Sequence, residues 1–302
     1  MAIGDVRTVE TGDCIDLSYV DTGMYDTDAY GAVYILDAER PAIIESGIGT
    51  HHDRILDALA ELDIARTEIE VIALTHIHLD HAGGAGFLTE ACPNAEVAVH
   101  EIGVSHLTDP DQLTEGTKQV VGDLWQFYVE PKPVPEDRIR RLGDGDTIDL
   151  GNHRLDVHHA PGHAPHQVVY YDRENDAVFT GDEAGIWIPS QQRVKETTPP
   201  WGFDLEKCLA DLETIRALDP ETLLYSHFGP QSSPKSTLTE YERVLTDWVE
   251  TVETKREELE DDAVIEYFVN ETEMGEVWDE AMANPVAAVD VRGVLHYLDQ
   301  RE

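Results

Sequence analysis

The segment Thr75-His76-Ile77-His78-Leu79-Asp80-His81 sets three imidazoles and one carboxylate within six residues. Imidazole and carboxylate are the ligands that Zn²⁺, Fe²⁺ and Mn²⁺ accept. In an extended chain alternate side chains point the same way, so His76 and His78 can share one cation. Asp80 and His81 then face a second centre beside it. Further donors stand in Pro161-Gly162-His163, Thr180-Gly181-Asp182 and Ser226-His227.

Each of these groups follows an apolar run. Glu70–Thr75 (EVIALT) reads as a buried strand that ends in the histidine-rich loop. Arg154–His158, Ala177–Thr180 and Thr222–Tyr225 read as strands that deliver one donor each to a loop. Strands that end at one rim of a sheet give a site a rigid base. Ala32–Leu36 and Ala42–Glu45 read as a hairpin, Glu96–His100 as a strand, and residues 101–136 as helical with loops. Residues 184–203 read as a long loop carrying Trp187 and Trp201. A helix over Ile55, Leu56, Leu59 and Leu62 and another over Leu205, Leu209, Leu212 and Ile215 complete an α/β pattern. After Gly229-Pro230, Leu238, Tyr241, Leu245, Trp248 and Val252 step by three and four, which predicts a long amphipathic helix. The chain divides on this reading into 1–230, α/β, and 231–302, a helical extension that caps a sheet or pairs with a second copy in a homodimer.

Composition bounds the partners. Acidic residues number 62 against 21 basic ones, a formal charge of −41, and only six of the basic residues are Lys. Such a chain resembles proteins of extreme halophiles, where molar salt shortens the screening length to about 3 Å. The same charge argues against a general nucleic-acid coat protein. Cys14, Cys92 and Cys208 are too scattered for a disulfide framework or a thiolate site. Met1–Asp13 has no apolar run and no stretch approaches the ~20 apolar residues of a membrane span. The expectation is a cytoplasmic protein without a membrane partner.

The order HxHxDH, PGH, GD and SH resembles the metallo-β-lactamase superfamily over about residues 15–230. That resemblance implies an αββα sandwich with a binuclear site along one edge. It implies that His76, His78 and His163 hold one metal, that Asp80, His81 and His227 hold the other, and that Asp182 bridges them. Asp80 would also orient the nucleophile. The cofactors expected are two divalent metal ions, zinc first, with manganese or iron as alternatives. His78 stands where flavodiiron oxidoreductases carry Glu, and no Cys falls in a motif as it would in the β-lactamases with a Cys ligand.

Two such cations about 3.5–4 Å apart can share one water, and zinc lowers a bound water's pKa to about 7. The expected reaction is therefore attack of a bridging hydroxide on phosphorus or on a carbonyl carbon. Phosphodiester cleavage of RNA or nucleotides stands first, with hydrolysis of thioesters (as by glyoxalase II) or lactones as the alternative. Mononuclear iron persulfide dioxygenases share HxHxDH and give a third. Lys132, Arg138, Arg140 and Arg141 could contact phosphate or close strand ends. The loop Asp21–Tyr25 lies beside the metals by the resemblance. His166 reads as a loop histidine or a support for a ligand, His158 and His159 as strand residues, and His51 and His52 as solvated at a helix start. His100, His106, His153 and His296 read as ordinary.

Overall fold

A computed structural model describes residues 2–278 and 280–301. Seven strands form the first sheet in chain order: β1 (Val6–Thr8), β2 (Leu17–Asp21), β3 (Ala32–Leu36), β4 (Ala42–Ile44), β5 (Val71–Ala73), β6 (Glu96–His100) and β7 (Ile139–Leu142). Pairing is antiparallel from β1 to β4 and parallel from β4 to β7. The second sheet uses β8 (Thr147–Asp149), β9 (Arg154–His159), β10 (Val168–Asp172), β11 (Ala177–Gly181), β14 (Thr222–Tyr225) and β15 (Gly229–Gln231). Its order is β15-β14-β11-β10-β9-β8, parallel only between β11 and β14. A separate ribbon pairs β12 (Ile186–Ile188) with β13 (Arg193–Lys195).

The strands are apolar on both faces because both faces are covered. In β3, Tyr34 and Leu36 face the second sheet while Val33 and Ile35 face the outer helices. In β11, Ala177 and Phe179 face inward and Val178 outward. The helices outside the first sheet are α1 (His52–Glu61), α2 (Leu79–Ala82), α3 (Ala85–Ala91), α4 (Val104–Thr108) and α5 (Asp111–Val121). Outside the second lie α6 (Leu205–Leu218), α7 (Pro234–Glu258), α8 (Asp261–Glu271) and α9 (Glu280–Arg301). The layers are αββα, as the resemblance implies.

Leu238, Tyr241, Leu245 and Val252 of α7 share one apolar cluster with Val169, Val178 and Leu223 of the second sheet. Residue 230 lies within β15. Helix α9 is fastened by Asp290, which accepts from Lys195 Nζ at 2.7 Å and from the Thr198 amide at 2.9 Å. No helix among the described residues is long and apolar enough to cross a membrane.

Two expectations need correction. Residues 184–203 are not one loop, since β12 and β13 pair within them; the prolines at 189, 199 and 200 masked two short runs. Strand β15 follows Ser226-His227, so His227 lies in a tight connection and does not close the last strand. Pro230 is tolerated there because β15 is an edge strand.

Candidate metal centre

The seven donors follow the C-terminal ends of β5, β9, β11 and β14. After β5 the chain bends at Thr75, is extended at His78 and then makes the single helical turn α2. His76 and His78 fall in one donor group, and the helical turn carries Asp80 and His81 round to a second. The turn Pro161-Gly162-His163 is pressed onto α6: a Cβ at Gly162 would stand 2.3 Å from the Cys208 amide nitrogen. Gly181 takes φ +51°, and a Cβ there would meet Thr75 Oγ1 at 2.5 Å. Both glycines let a donor-bearing turn sit against its neighbour.

Donor atoms of His76, His78 and His163 lie within 4.8 Å of one another, as do those of Asp80, His81, Asp182 and His227. His78 Nδ1 and His163 Nε2 are 3.2 Å apart. That is close to the edge, about 3.3 Å, of a tetrahedron of nitrogens around zinc. Asp182 faces both groups. Its Oδ2 is 3.6 Å from His163 Nε2, while its Oδ1 is 3.3 Å from His227 Nε2 and 3.4 Å from His81 Nε2. Asp80 Oδ2 stands 3.5 Å from His81 Nε2 and 3.9 Å from His227 Nε2.

Three of the five imidazoles are oriented through their other nitrogen. His227 Nδ1 donates to the Tyr30 carbonyl at 3.1 Å, which turns Nε2 toward the other donors. Thr75 Oγ1 donates to Glu45 Oε1 and therefore accepts from His76 Nδ1 at 3.0 Å. His81 Nδ1 lies 3.4 Å from Glu45 Oε1. His76 Nε2, His81 Nε2 and Asp182 Oδ1 are buried without a hydrogen-bond partner among the described residues. Buried polar atoms nearly always have partners, and divalent cations fit these three lone pairs.

The electrostatics agree. Burial and the neighbouring imidazoles hold His76 well below the ordinary histidine pKa, and burial holds His163 at about 3. Both stay neutral, as a ligand must. Burial alone would raise Asp80, but the charge of His81 outweighs it and holds Asp80 at about 2. His81 is buried too, yet Asp182, Asp80 and Glu45 raise it well above the ordinary value. This corner of the site is built to hold positive charge.

Sequence reasoning missed the layer behind the ligands. Glu45, buried and left-handed at φ +73°, also accepts from Ser226 Oγ at 3.1 Å. Its signal was an acid placed directly after an apolar strand. Glu183 accepts from the His163 amide at 3.1 Å and Asp211 from the Gly162 amide at 2.8 Å, which fixes the PGH turn. Tyr30 stacks on His227 with ring centroids 4.7 Å apart.

A cavity of about 410 Å³ opens over the donors. Leu113, Val120 and Leu124 line one side, Val286 and Val289 of α9 another, and Trp201 stands at the edge. Its lining contains no Lys or Arg among the described residues. Trp187 is buried in the core behind the second sheet and does not line it. Lys132 pairs with Glu90 and Arg141 with Glu136, and Arg138 and Arg140 donate to backbone carbonyls. The basic cluster thus closes strand ends, the second of its two readings. His166 and His106 line the cavity. His52 is half-buried and stacks on Phe87, which corrects its reading as solvated.

Residues 26–227 match the family model of the metallo-beta-lactamase superfamily. Over 228 residues the chain is 28% identical to the metallo-beta-lactamase fold-containing protein ST1585 of Sulfurisphaera tokodaii, covering 74% of this chain and 81% of that protein. The crystal structure of ST1585 matches with a TM-score of 0.70 at 25% identity, over 93% of this chain and 99% of that one. Acyl-coenzyme A thioesterase MBLAC2 of Gallus gallus is 30% identical over 160 residues, covering 48% of this chain and 54% of that protein. Hydroxyacylglutathione hydrolase of Aeromonas salmonicida is 29% identical over 171 residues, covering 57% and 51%. The chain thus spans about half the length of these last two relatives. Motif order, layered fold and donor geometry converge with these matches: the chain belongs to the metallo-β-lactamase superfamily, as an enzyme of its metallo-hydrolase class.

Proposed function

We propose that the protein hydrolyses the ester or thioester bond of a small molecule with an apolar acyl group. The observation that carries this reading is the cavity above the donors, walled by aliphatic side chains and free of Lys and Arg among the described residues. A polyanion would need cationic contacts there, whereas an acyl chain needs only apolar surface. Relatives named as an acyl-coenzyme A thioesterase and a hydroxyacylglutathione hydrolase support the acyl over the phosphodiester alternative.

His76, His78 and His163 would hold one divalent cation, Asp80, His81 and His227 a second, and Asp182 would stand between them. Zinc suits so imidazole-rich a set, with manganese or iron as alternatives. Bound there, such cations polarise an acyl oxygen and acidify water. Asp80 accepts a hydrogen bond from the attacking water and aims it at the acyl carbon. Glu45, Thr75 and the Tyr30 carbonyl keep the imidazoles turned toward the cluster. Segment 231–302 acts as an extension of the α/β unit, and through Val286 and Val289 it closes the wall that shields the acyl chain from water.

The test is a substrate panel run in molar salt with zinc or manganese. Acetyl, butyryl and octanoyl oxyesters and thioesters should turn over, with kcat/KM rising with acyl length, and a linear RNA oligomer should stay intact. Cleavage of RNA without acyl turnover would reverse the assignment, and sulfite formed from a persulfide under oxygen would replace hydrolysis altogether.

A further inference from the structure

The loop between β2 and β3 is held in a backbone conformation that L residues rarely adopt. Tyr25, Asp26 and Ala29 all have positive φ, at +55°, +54° and +63°. Such strain persists only where surrounding contacts enforce it, and it clusters at functional sites. The contacts are present here. Asp21 accepts from the Gly23 amide at 2.8 Å and from the Ala29 amide at 2.6 Å, and Arg54 donates to the Thr22 carbonyl. The result is that Tyr25 lines the cavity together with Asp80, Asp182 and His227.

Tyr25 sits in an aromatic cage. Its ring lies 5.5 Å from Phe127 and 5.8 Å from both Tyr30 and Tyr128. The hydroxyls of Tyr25 and Tyr128 are hydrogen-bonded to each other. Two hydroxyls carry two protons, and the mutual bond uses one. Neither oxygen has another hydrogen-bond partner among the described residues, so one O–H remains to donate into the cavity. Tyr128 lines the same cavity as Tyr25 and the donors Asp80, Asp182 and His227. Burial raises both phenols above their ordinary range, so each keeps its proton and acts as a donor.

We infer that Tyr25, with Tyr128 donating to its oxygen, donates its O–H to the acyl oxygen of the substrate as attack converts that oxygen to an oxyanion. This assignment rests on the acyl-hydrolase reading. In the step, the water oxygen bonds to the acyl carbon and the C=O π pair moves onto oxygen. The bond to the leaving oxygen or sulfur then breaks, and that atom takes the proton released by the water. Tyr25 keeps its own proton throughout. A donor that is buried and fixed before reaction stabilises developing charge without reorganising. Tyr128 is a positioning residue, since it acts through Tyr25.

The test uses Tyr25→Phe, Tyr128→Phe and the double variant, each loaded with metal. Tyr25→Phe should lose on the order of 100-fold in kcat, with KM and bound metal unchanged. Tyr128→Phe should lose less, and the double variant should be no worse than Tyr25→Phe. An alkyl trifluoromethyl ketone, whose hydrate mimics the tetrahedral oxyanion, should bind Tyr25→Phe weaker by the same factor as kcat/KM falls. Affinity for the alcohol product should stay as it was. Wild-type kcat in Tyr25→Phe, or equal weakening of ketone and alcohol, overturns the assignment and leaves the acyl reading standing. A wild-type enzyme that hydrolyses no member of the ester and thioester panel overturns both. If Tyr25→Phe does not fold, Tyr128→Phe decides: the ketone must weaken and the alcohol must not.

Discussion

A histidine is aimed at a cation through one nitrogen when something claims the other. Here the claimants are Thr75 for His76, Glu45 for His81 and the Tyr30 carbonyl for His227. Two of the three trace back to one carboxylate: Glu45 takes the Thr75 and Ser226 hydroxyls and faces His81. Glu45→Gln keeps the shape but removes the charge and sets an amide donor where Oε2 has no partner. Metal affinity should fall 10- to 100-fold, the usual cost of losing a group that orients a ligand. Chelator competition measures it, and an affinity within twofold of wild type would refute the role. The seven donors themselves were legible, because His and Asp clustered after apolar strands have few other uses. Glu45 was not, and of Tyr25 only its loop was placed beside the metals. Each is a single residue of common type, and only the left-handed backbone at both positions sets them apart.

Secondary-structure elements divide the labour between two rims. The donors follow the C-terminal ends of β5, β9, β11 and β14, while the opposite ends of β9 and β10 carry a strut of their own. His153, fully buried, lies 3.1 Å from Asp172 through Nδ1 and 3.4 Å from Asp16 through Nε2. Asp16 precedes β2 of the first sheet and Asp172 ends β10 of the second, so the strut ties the two sheets together. Burial would lower the His153 pKa, but Asp172 and Asp16 raise it above the ordinary value. Its stabilisation is therefore complete below the unfolded value, about 6.5, and is lost as pH rises through the raised folded value. His153→Gln should cost about 1–3 kcal/mol in mild acid. The Tm gap to wild type should narrow toward pH 9, and a gap that holds or widens would contradict the assignment. Strands Glu96–His100 and Thr222–Tyr225 were readable to the residue because each has an apolar centre between residues that mark its ends. The β12–β13 ribbon and β15 were not, since each is three residues long among Pro and Gly, and long-range pairing decides them.

At the scale of the whole molecule the dominant fact is charge. The accessible surface of 12396 Å² shared among at most 62 carboxylates, a few of them buried, gives at least about 200 Å² each, or neighbours about 14 Å or more apart. The screening length is about 30 Å at 0.01 M salt and about 3 Å at 1 M. The spacing falls between the two, so each carboxylate feels several others in dilute buffer and almost none in molar salt. The 21 basic residues cannot offset this, and several, such as Lys195 with Asp290 and Arg256 with Asp261 and Asp299, are already committed to specific acids. Self-repulsion destabilises the compact state. The Tm should therefore rise by roughly 10 °C or more between 0.01 M and 2 M KCl, because a domain gains several degrees per kcal/mol. Choline chloride should give a similar gain if screening is the cause, while a gain confined to sulfate would indicate strengthened apolar burial instead. A Tm that is flat or falls in KCl would mean that the acidic surface is not what limits stability. Turnover of an uncharged ester should become nearly salt-independent once the fold is saturated, since the substrate carries no charge and no Lys or Arg among the described residues lines the cavity.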